Sequence, residues 1–150
     1  MSLQKRILVI TPRFPYPEAG ACEQDRAESL RQLKRLGYDV RVVGKYFDWQ
    51  NKEEIVSFWR KEEIDVTLVP YRYVGATGKG KWRLVVTHPW YLDGSTLEFA
   101  DNEMQKTVRD VADEFKPDIA WFDYTYLWPL YHIFQKRNIP IVTRSINFEA

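Results

Sequence analysis

Chemistry has few places to sit in this 150-residue chain. The foremost is the stretch Pro12-Arg13-Phe14-Pro15-Tyr16-Pro17-Glu18-Ala19-Gly20-Ala21, where small residues stand just before a helix-period segment. Backbone N–H groups and the positive end of a helix dipole meet there, and together they receive an anion or a hydroxyl-rich ligand. Prolines at 12, 15 and 17 stiffen the approach and lower the ordering cost of binding, while Arg13 can add a charge contact. The plainer account is a packed turn whose small residues are steric. The spacing is neither the GxGxxG of a dinucleotide fingerprint nor the GxxxxGK[ST] of a phosphate loop.

Two further stretches reach the same edge if the strands run parallel. Asp123-Tyr124-Thr125-Tyr126 offers a carboxylate and hydroxyls for sugar hydroxyls, with a helix cap by Asp123 or Thr125 as the alternative. Arg144-Ser145-Ile146-Asn147-Phe148-Glu149 offers Asn147 and Glu149, the latter being the best-placed carboxylate. Tyr16, Trp90, Tyr91 and Trp128 are candidates for the walls of one cleft, although any one of them alone reads as packing. Gly75-Ala76-Thr77-Gly78-Lys79-Gly80-Lys81 imitates a phosphate loop but has no strand-to-helix context. It reads as a flexible basic loop whose Lys79, Lys81 and Arg83, beside Trp82, suit an anionic head group or acidic acceptor.

The elements that must position these residues are set by periodicity. Ile7 to Ile10 sits in a continuous apolar run, about Lys5 to Thr11, as expected of a central parallel strand covered on both faces. Ala27, Leu30, Leu33 and Leu36 stripe a helix from about Cys22 to Leu36, and Gly37 ends it. Strands are expected at Asp39–Val43, Asp65–Tyr71, Asp118–Tyr124 and Ile139–Thr143. A helix is expected within 45–63, and a long loop over 71–93. A single helix should begin at a Ser95/Glu98 capping box and run to Lys116-Pro117. A short helix should span Tyr126–Asn138, with Pro129 in its first turn. This alternation predicts an α/β, three-layer, doubly wound parallel sheet of Rossmann-like type. Ligands then bind beyond the carboxyl ends of its strands.

Composition removes several classes. A net charge of +1 makes no case for nucleic acid. Cys22 is the single cysteine, so no internal disulfide forms and a reducing compartment fits. His88 and His132 are the two histidines and lie far apart, so no metal site is expected. No apolar run approaches the roughly 18 residues of a membrane span. The expected location is the cytoplasm, with room for peripheral contact at the inner membrane. No Ser-His-Asp set or catalytic carboxylate pair can be named, and the catalytic residues stay unassigned.

Three stretches taken in order resemble the N-terminal, acceptor-side domain of a GT-B glycosyltransferase of family 4 (group 1-like). They are Arg6 to Gly20 with the helix that runs on to Leu36-Gly37-Tyr38-Asp39-Val40, then Lys116-Pro117-Asp118-Ile119-Ala120-Trp121-Phe122-Asp123, then Asn138-Ile139-Pro140-Ile141-Val142-Thr143 ending in Asn147-Phe148-Glu149-Ala150. The resemblance implies two Rossmann-like domains facing across a cleft, this one holding the acceptor and its partner domain the nucleotide-sugar. It places Gly20 and Ala21 against the donor diphosphate or transferred sugar, although Ala21 departs from the family's second glycine. It also places Asn147 and Glu149 at the cleft, with Ile146 where the family often has histidine.

The same resemblance implies a retaining sugar transfer from a nucleotide-sugar to a saccharide or lipid-linked acceptor, in bacterial cell-surface polysaccharide synthesis. No cofactor beyond the donor substrate and no metal are implied. The donor-binding domain is expected beyond Ala150, and residues 1–150 alone are expected to be inactive. The competing reading is a stand-alone flavodoxin-like or nucleotide-binding regulatory domain. A dinucleotide oxidoreductase is disfavoured, because Val42-Val43-Gly44 carries no acidic ribose ligand.

Overall fold

A computed structural model describes residues 4–72, 86 and 94–144. Five parallel strands make one sheet in the order β3-β2-β1-β4-β5: β1 Arg6–Arg13, β2 Asp39–Tyr46, β3 Asp65–Pro70, β4 Ile119–Phe122 and β5 Ile141–Thr143. The expected α/β doubly wound architecture is present. β1 is the central strand, with Ile7 opposite Val40 on one side and Ile119 on the other. Its apolar run is continuous because both faces are buried. Ile7 and Val9 pack beneath α1 (Ala21–Arg35) and α2 (Lys52–Lys61), in a layer that includes Leu30, Leu33 and Trp59. Leu8 and Ile10 face the opposite layer, where Met104, Val108, Val111 and Phe134 lie.

Local chemistry sets the ends of these elements. At the end of α1, Gly37 takes φ +84°. Its N–H donates to Lys34 O and the Tyr38 N–H to Leu33 O, so the terminal carbonyls are satisfied by a left-handed cap. Asn51 caps α2 by accepting from the N–H groups of Glu53 and Glu54 at 3.0 and 3.2 Å. In β2, Gly44 lies opposite Thr11, at a register shift in β1. A Cβ there would stand 2.6 Å from Thr11 Cγ2 and 3.1 Å from the Phe14 ring, so only glycine lets β2 come this close to the turn after β1.

Three expectations are corrected. The helix expected to run unbroken from Ser95 is two helices, α3 Gly94–Phe99 and α4 Asn102–Phe115, and Ser95 lies inside the first of them. The break is at Asp101, whose extended backbone frees its carboxylate to accept from Met104 N–H at 2.9 Å and to pair with the buried ammonium of Lys45. Capping and charge pairing outweigh one more turn of helix. The helix expected over 126–138 is a 3-10 helix, Thr125–Leu130, followed by α5, Tyr131–Gln135. Pro129 falls inside the 3-10 segment, where the absence of its N–H and its ring are better tolerated than in an α-helix. Strands β4 and β5 are shorter than expected as regular strands, although Asp123 still donates its N–H to Ile10 O at 3.0 Å and Pro140 O still accepts from Ala120 N–H at 2.9 Å. The expected loop over 71–93 lies almost wholly outside the described residues.

Candidate functional site

β1 pairs with β2 on one side and β4 on the other, so the connections that leave the carboxyl ends of β1 and β4 run in opposite directions. Such a switch point opens a crevice. Here it is a cavity of about 450 Å³. The turn after β1 contributes Arg13, Gly20 and Ala21, α1 contributes Glu23 and Arg26, and the segment after β4 contributes Tyr124 and Tyr126. The turn is held from below by the buried Gln50 amide, which accepts from Phe47 N–H at 2.9 Å and donates to the carbonyls of Phe14 and Tyr16. Glu18 is anchored to α1 by Arg31, with contacts of 3.2 and 2.5 Å.

The aromatic wall is built the same way. Thr96, buried in α3, donates to Tyr126 O at 3.0 Å and fixes the 3-10 segment against α3. Tyr126 then stacks on Tyr124 with ring centres 5.1 Å apart, and Phe99 lies 5.7 Å from Tyr126. Stacked rings of this kind suit a sugar face or a flat base.

Charge gathers at the mouth of α1. Gly20 is the N-cap, and no side chain caps it. The Glu23 carboxylate folds back over Gly20, so close that a Cβ on residue 20 would collide with it. It pairs with Arg13 and with Arg26, the latter at 3.3 Å. Arg26 is only 4% exposed, lies over the Tyr124 ring at 5.7 Å, and its Nε has no hydrogen-bond partner.

Beneath the cavity a second set joins β4 to β5 and α1. Asp123 accepts from Arg144 and from the Trp121 indole N–H, each at 3.3 Å. Arg144 also reaches Asp25 at 3.0 Å and Ser29 at 2.6 Å. Burial pushes the Asp123 carboxyl above its ordinary value, against the opposing pull of Arg144, then the Thr11 hydroxyl, Arg26 and Trp121.

A raised folded-state value means that Asp123 favours folding most at low pH, and that this contribution is lost as pH rises through the folded value. The stability of the protein minus that of Asp123→Asn should therefore fall as pH climbs from about 4, the unfolded value. The slope is at most about 1.4 kcal/mol per pH unit, and the difference is constant above the window. Urea midpoints across a pH series measure it. A difference that grows with pH would show instead that Arg144 governs the group.

The sequence-derived candidates divide between the cavity and its surroundings. Arg13, Gly20, Ala21 and Tyr124 meet at one cavity. Asp123 is 4% exposed and lies beneath it, where it organises Arg144 and presents no open carboxylate to a ligand. Neither it nor Thr125 caps the 3-10 helix, whose N-cap is Tyr124 with no side-chain bond. Arg13 is paired with Glu23 rather than unencumbered. Asn147 and Glu149 lie outside the described residues, as do Trp90, Tyr91 and the basic loop at 75–83.

Tyr16 lines a smaller neighbouring hollow of about 310 Å³ and packs on Phe58 at 4.8 Å. Trp128 is 46% exposed and not part of the cavity lining. Glu23 and Arg26 do not stand out in the sequence. Their signal is spacing: with Ala27, Leu30 and Leu33 they occupy the inward stripe of α1, where opposite charges three apart are conspicuous. Among the described residues, no group of three or more His, Cys, Asp or Glu gathers to hold a metal, and no helix is long and apolar enough to cross a membrane.

No known protein family matches the chain in sequence, and no curated protein does. Solved structures do match it in shape. The C-terminal domain of PF1911 hydrogenase from Pyrococcus furiosus covers 96% of this chain and is itself 95% covered, at 13% identity and TM-score 0.56. Arabidopsis thaliana UGT89C1, solved with UDP-L-rhamnose, covers 95% of the chain at 12% identity and TM-score 0.56. The chain spans only 36% of UGT89C1's length. The fold is the Rossmann-like one of GT-B glycosyltransferase domains. A deacetylase from teicoplanin biosynthesis shares it too, at 12% identity and TM-score 0.53, with 91% of this chain and 65% of that one covered. One fold thus serves several chemistries, and function has to be argued from the site.

Proposed function

We propose that the chain is the acceptor-side domain of a glycosyltransferase of the family 4 type. It would pass a sugar from a nucleotide-sugar to a saccharide or lipid-linked acceptor, with retention, in cell-surface polysaccharide synthesis. The observation that carries this reading is the switch-point cavity, where the mouth of a 15-residue helix, two arginines and a stacked tyrosine pair converge. The arginines and helix end suit a diphosphate, and the rings suit a sugar face. That UGT89C1, which shares the fold, was solved with UDP-L-rhamnose favours a nucleotide-sugar. On this reading catalysis takes place in the cytoplasm, at or near the inner membrane, and needs a second, donor-binding domain. Residues 1–150 alone then turn over no donor.

The test is an amide NMR titration of the chain with UDP-sugars, other nucleotide-sugars and oligosaccharides. Signals of Gly20, Ala21 and Tyr124 should move together with at least one of them. Shifts confined to the α2 side, or none at all, would overturn the reading. A second reading, a free-standing flavin- or nucleotide-binding domain, draws on the same side-chain-free helix mouth at Gly20 and the same cavity. It predicts instead that FMN or a free nucleotide binds at the same signals and that no sugar moiety adds affinity.

A further inference from the structure

Glu23 does not fit a site meant for an anion. A carboxylate in the first turn of a helix is ordinary, since it complements the dipole. Three features go beyond that. The Glu23 side chain is only 11% exposed, although an ordinary first-turn Glu stays in water. It sits where an incoming anion would sit, over Gly20 at the uncapped end of α1, between Arg13 and Arg26. Arg26 is nine-tenths buried or better and uses Nη2 on Glu23, yet keeps an Nε without a partner. A buried guanidinium N–H left unpaired costs free energy that a better-matched acceptor recovers. A phosphate or diphosphate has more acceptor oxygens than a carboxylate and binds guanidinium groups bidentately.

We propose that Glu23 is a built-in competitor: its carboxylate holds the phosphate seat of the cleft closed, and an arriving phosphoryl group binds by displacing it from Arg13 and Arg26. The displacement is local, because what covers the helix mouth is the far end of a flexible side chain, seated in the space that a Cβ on residue 20 would need. The arginines stay folded and paired when no ligand is present, so the site avoids two unneutralised cations at a helix end, where they would repel both the dipole and each other. A singly charged anion gains little by replacing a carboxylate. A diphosphate gains charge and a second oxygen fork, so the device selects for it. The inference rests on the proposed function only for which anion arrives.

The experiment measures binding of inorganic pyrophosphate to the 150-residue chain and to Glu23→Gln, with Glu23→Ala as a second variant. Calorimetry supplies affinities, and the 15N signal of the Arg26 Nε–H reports the guanidinium directly. The neutral variants should bind pyrophosphate about tenfold more tightly or better. Their advantage should shrink with added salt, since charge repulsion is what has been removed. The Arg26 Nε–H signal should move on saturation in both the parent chain and the variants, and inorganic phosphate should gain less than pyrophosphate.

Equal or weaker binding by the variants, or an Arg26 signal that pyrophosphate leaves unmoved, would overturn the proposal. Loss of folding in both variants, seen by circular dichroism, would make the carboxylate a structural ion-pair partner and overturn it equally. Running UDP and UDP-sugars beside pyrophosphate separates the two claims. Tightened pyrophosphate binding with no preference for any nucleotide-sugar refutes the functional reading and leaves the role of Glu23 standing.

Discussion

Asp101→Ala should lower the stability of the protein by about 3–5 kcal/mol, a large share of what a domain of this size has. Two losses combine. The cap on α4 disappears with the acceptor for Met104 N–H, which alone costs about 1 kcal/mol. The larger loss is at Lys45, which is fully buried at the end of β2 and whose ammonium pairs with Asp101. Removing one member of a buried pair leaves an uncompensated charge. The companion variant, Lys45→Met with Asp101→Ser, keeps the cap and removes the stranded charge, and should recover to within about 1.5 kcal/mol of the parent. Urea unfolding followed by circular dichroism measures both. If Asp101→Ala costs only what a lost cap costs, Lys45 reaches water and the pair does not hold α4 to β2.

Trp59→Ala should be comparably severe, at about 3–5 kcal/mol. Trp59 is fully buried on α2, with Phe14 edge-on at 6.1 Å and Phe58 at 5.3 Å. Its removal empties the space behind the turn after β1, so the Arg13 side of the cavity should loosen as well. Trp59→Phe should be far milder, below about 1.5 kcal/mol. The indole N–H has no hydrogen-bond partner, and phenylalanine keeps most of the ring while deleting that buried donor. Thermal melts of the two variants give the comparison. Equal damage from both would mean that the indole edge itself makes the packing.

Much of the architecture is legible in the sequence because local and global signals agree there. The run Ile7 to Ile10 is uniformly apolar because both faces of β1 are covered, and the Leu30, Leu33, Gly37 pattern encodes both the face and the end of α1. That order of elements implies the switch point, and with it the place where Arg13, Gly20, Ala21 and Tyr124 meet. The parts that are not legible depend on partners distant in sequence. Asp101 interrupts a well-patterned helix because Lys45 arrives from 56 positions away, and no window around Asp101 contains that fact. Lys45, in turn, looks like an exposed strand-end lysine until α4 lies over it. Asp123 reads as a ligand carboxylate because its type suits one. Its burial beside Arg144 and Trp121 is set by β5 and α1. Glu23 and Arg26 share the inward stripe of α1, but what they meet there, Arg13 from the turn after β1 and Tyr124 from the segment after β4, is set by distant parts of the chain.

That the central strand is a latecomer's partner has a consequence for biogenesis. One flank of β1 is filled by β2, close behind it in the chain, whereas the other waits for β4, as the bond between Arg6 and Asp118 across 112 positions records. Contacts of such long range form late, since the loop entropy must be met before they repay it. A ribosome-bound chain that has not yet delivered β4 therefore displays an apolar strand with a naked ladder of amides along one side, an invitation to pair with a neighbour. Chaperone capture during translation should accordingly matter for this domain until β4 has been delivered.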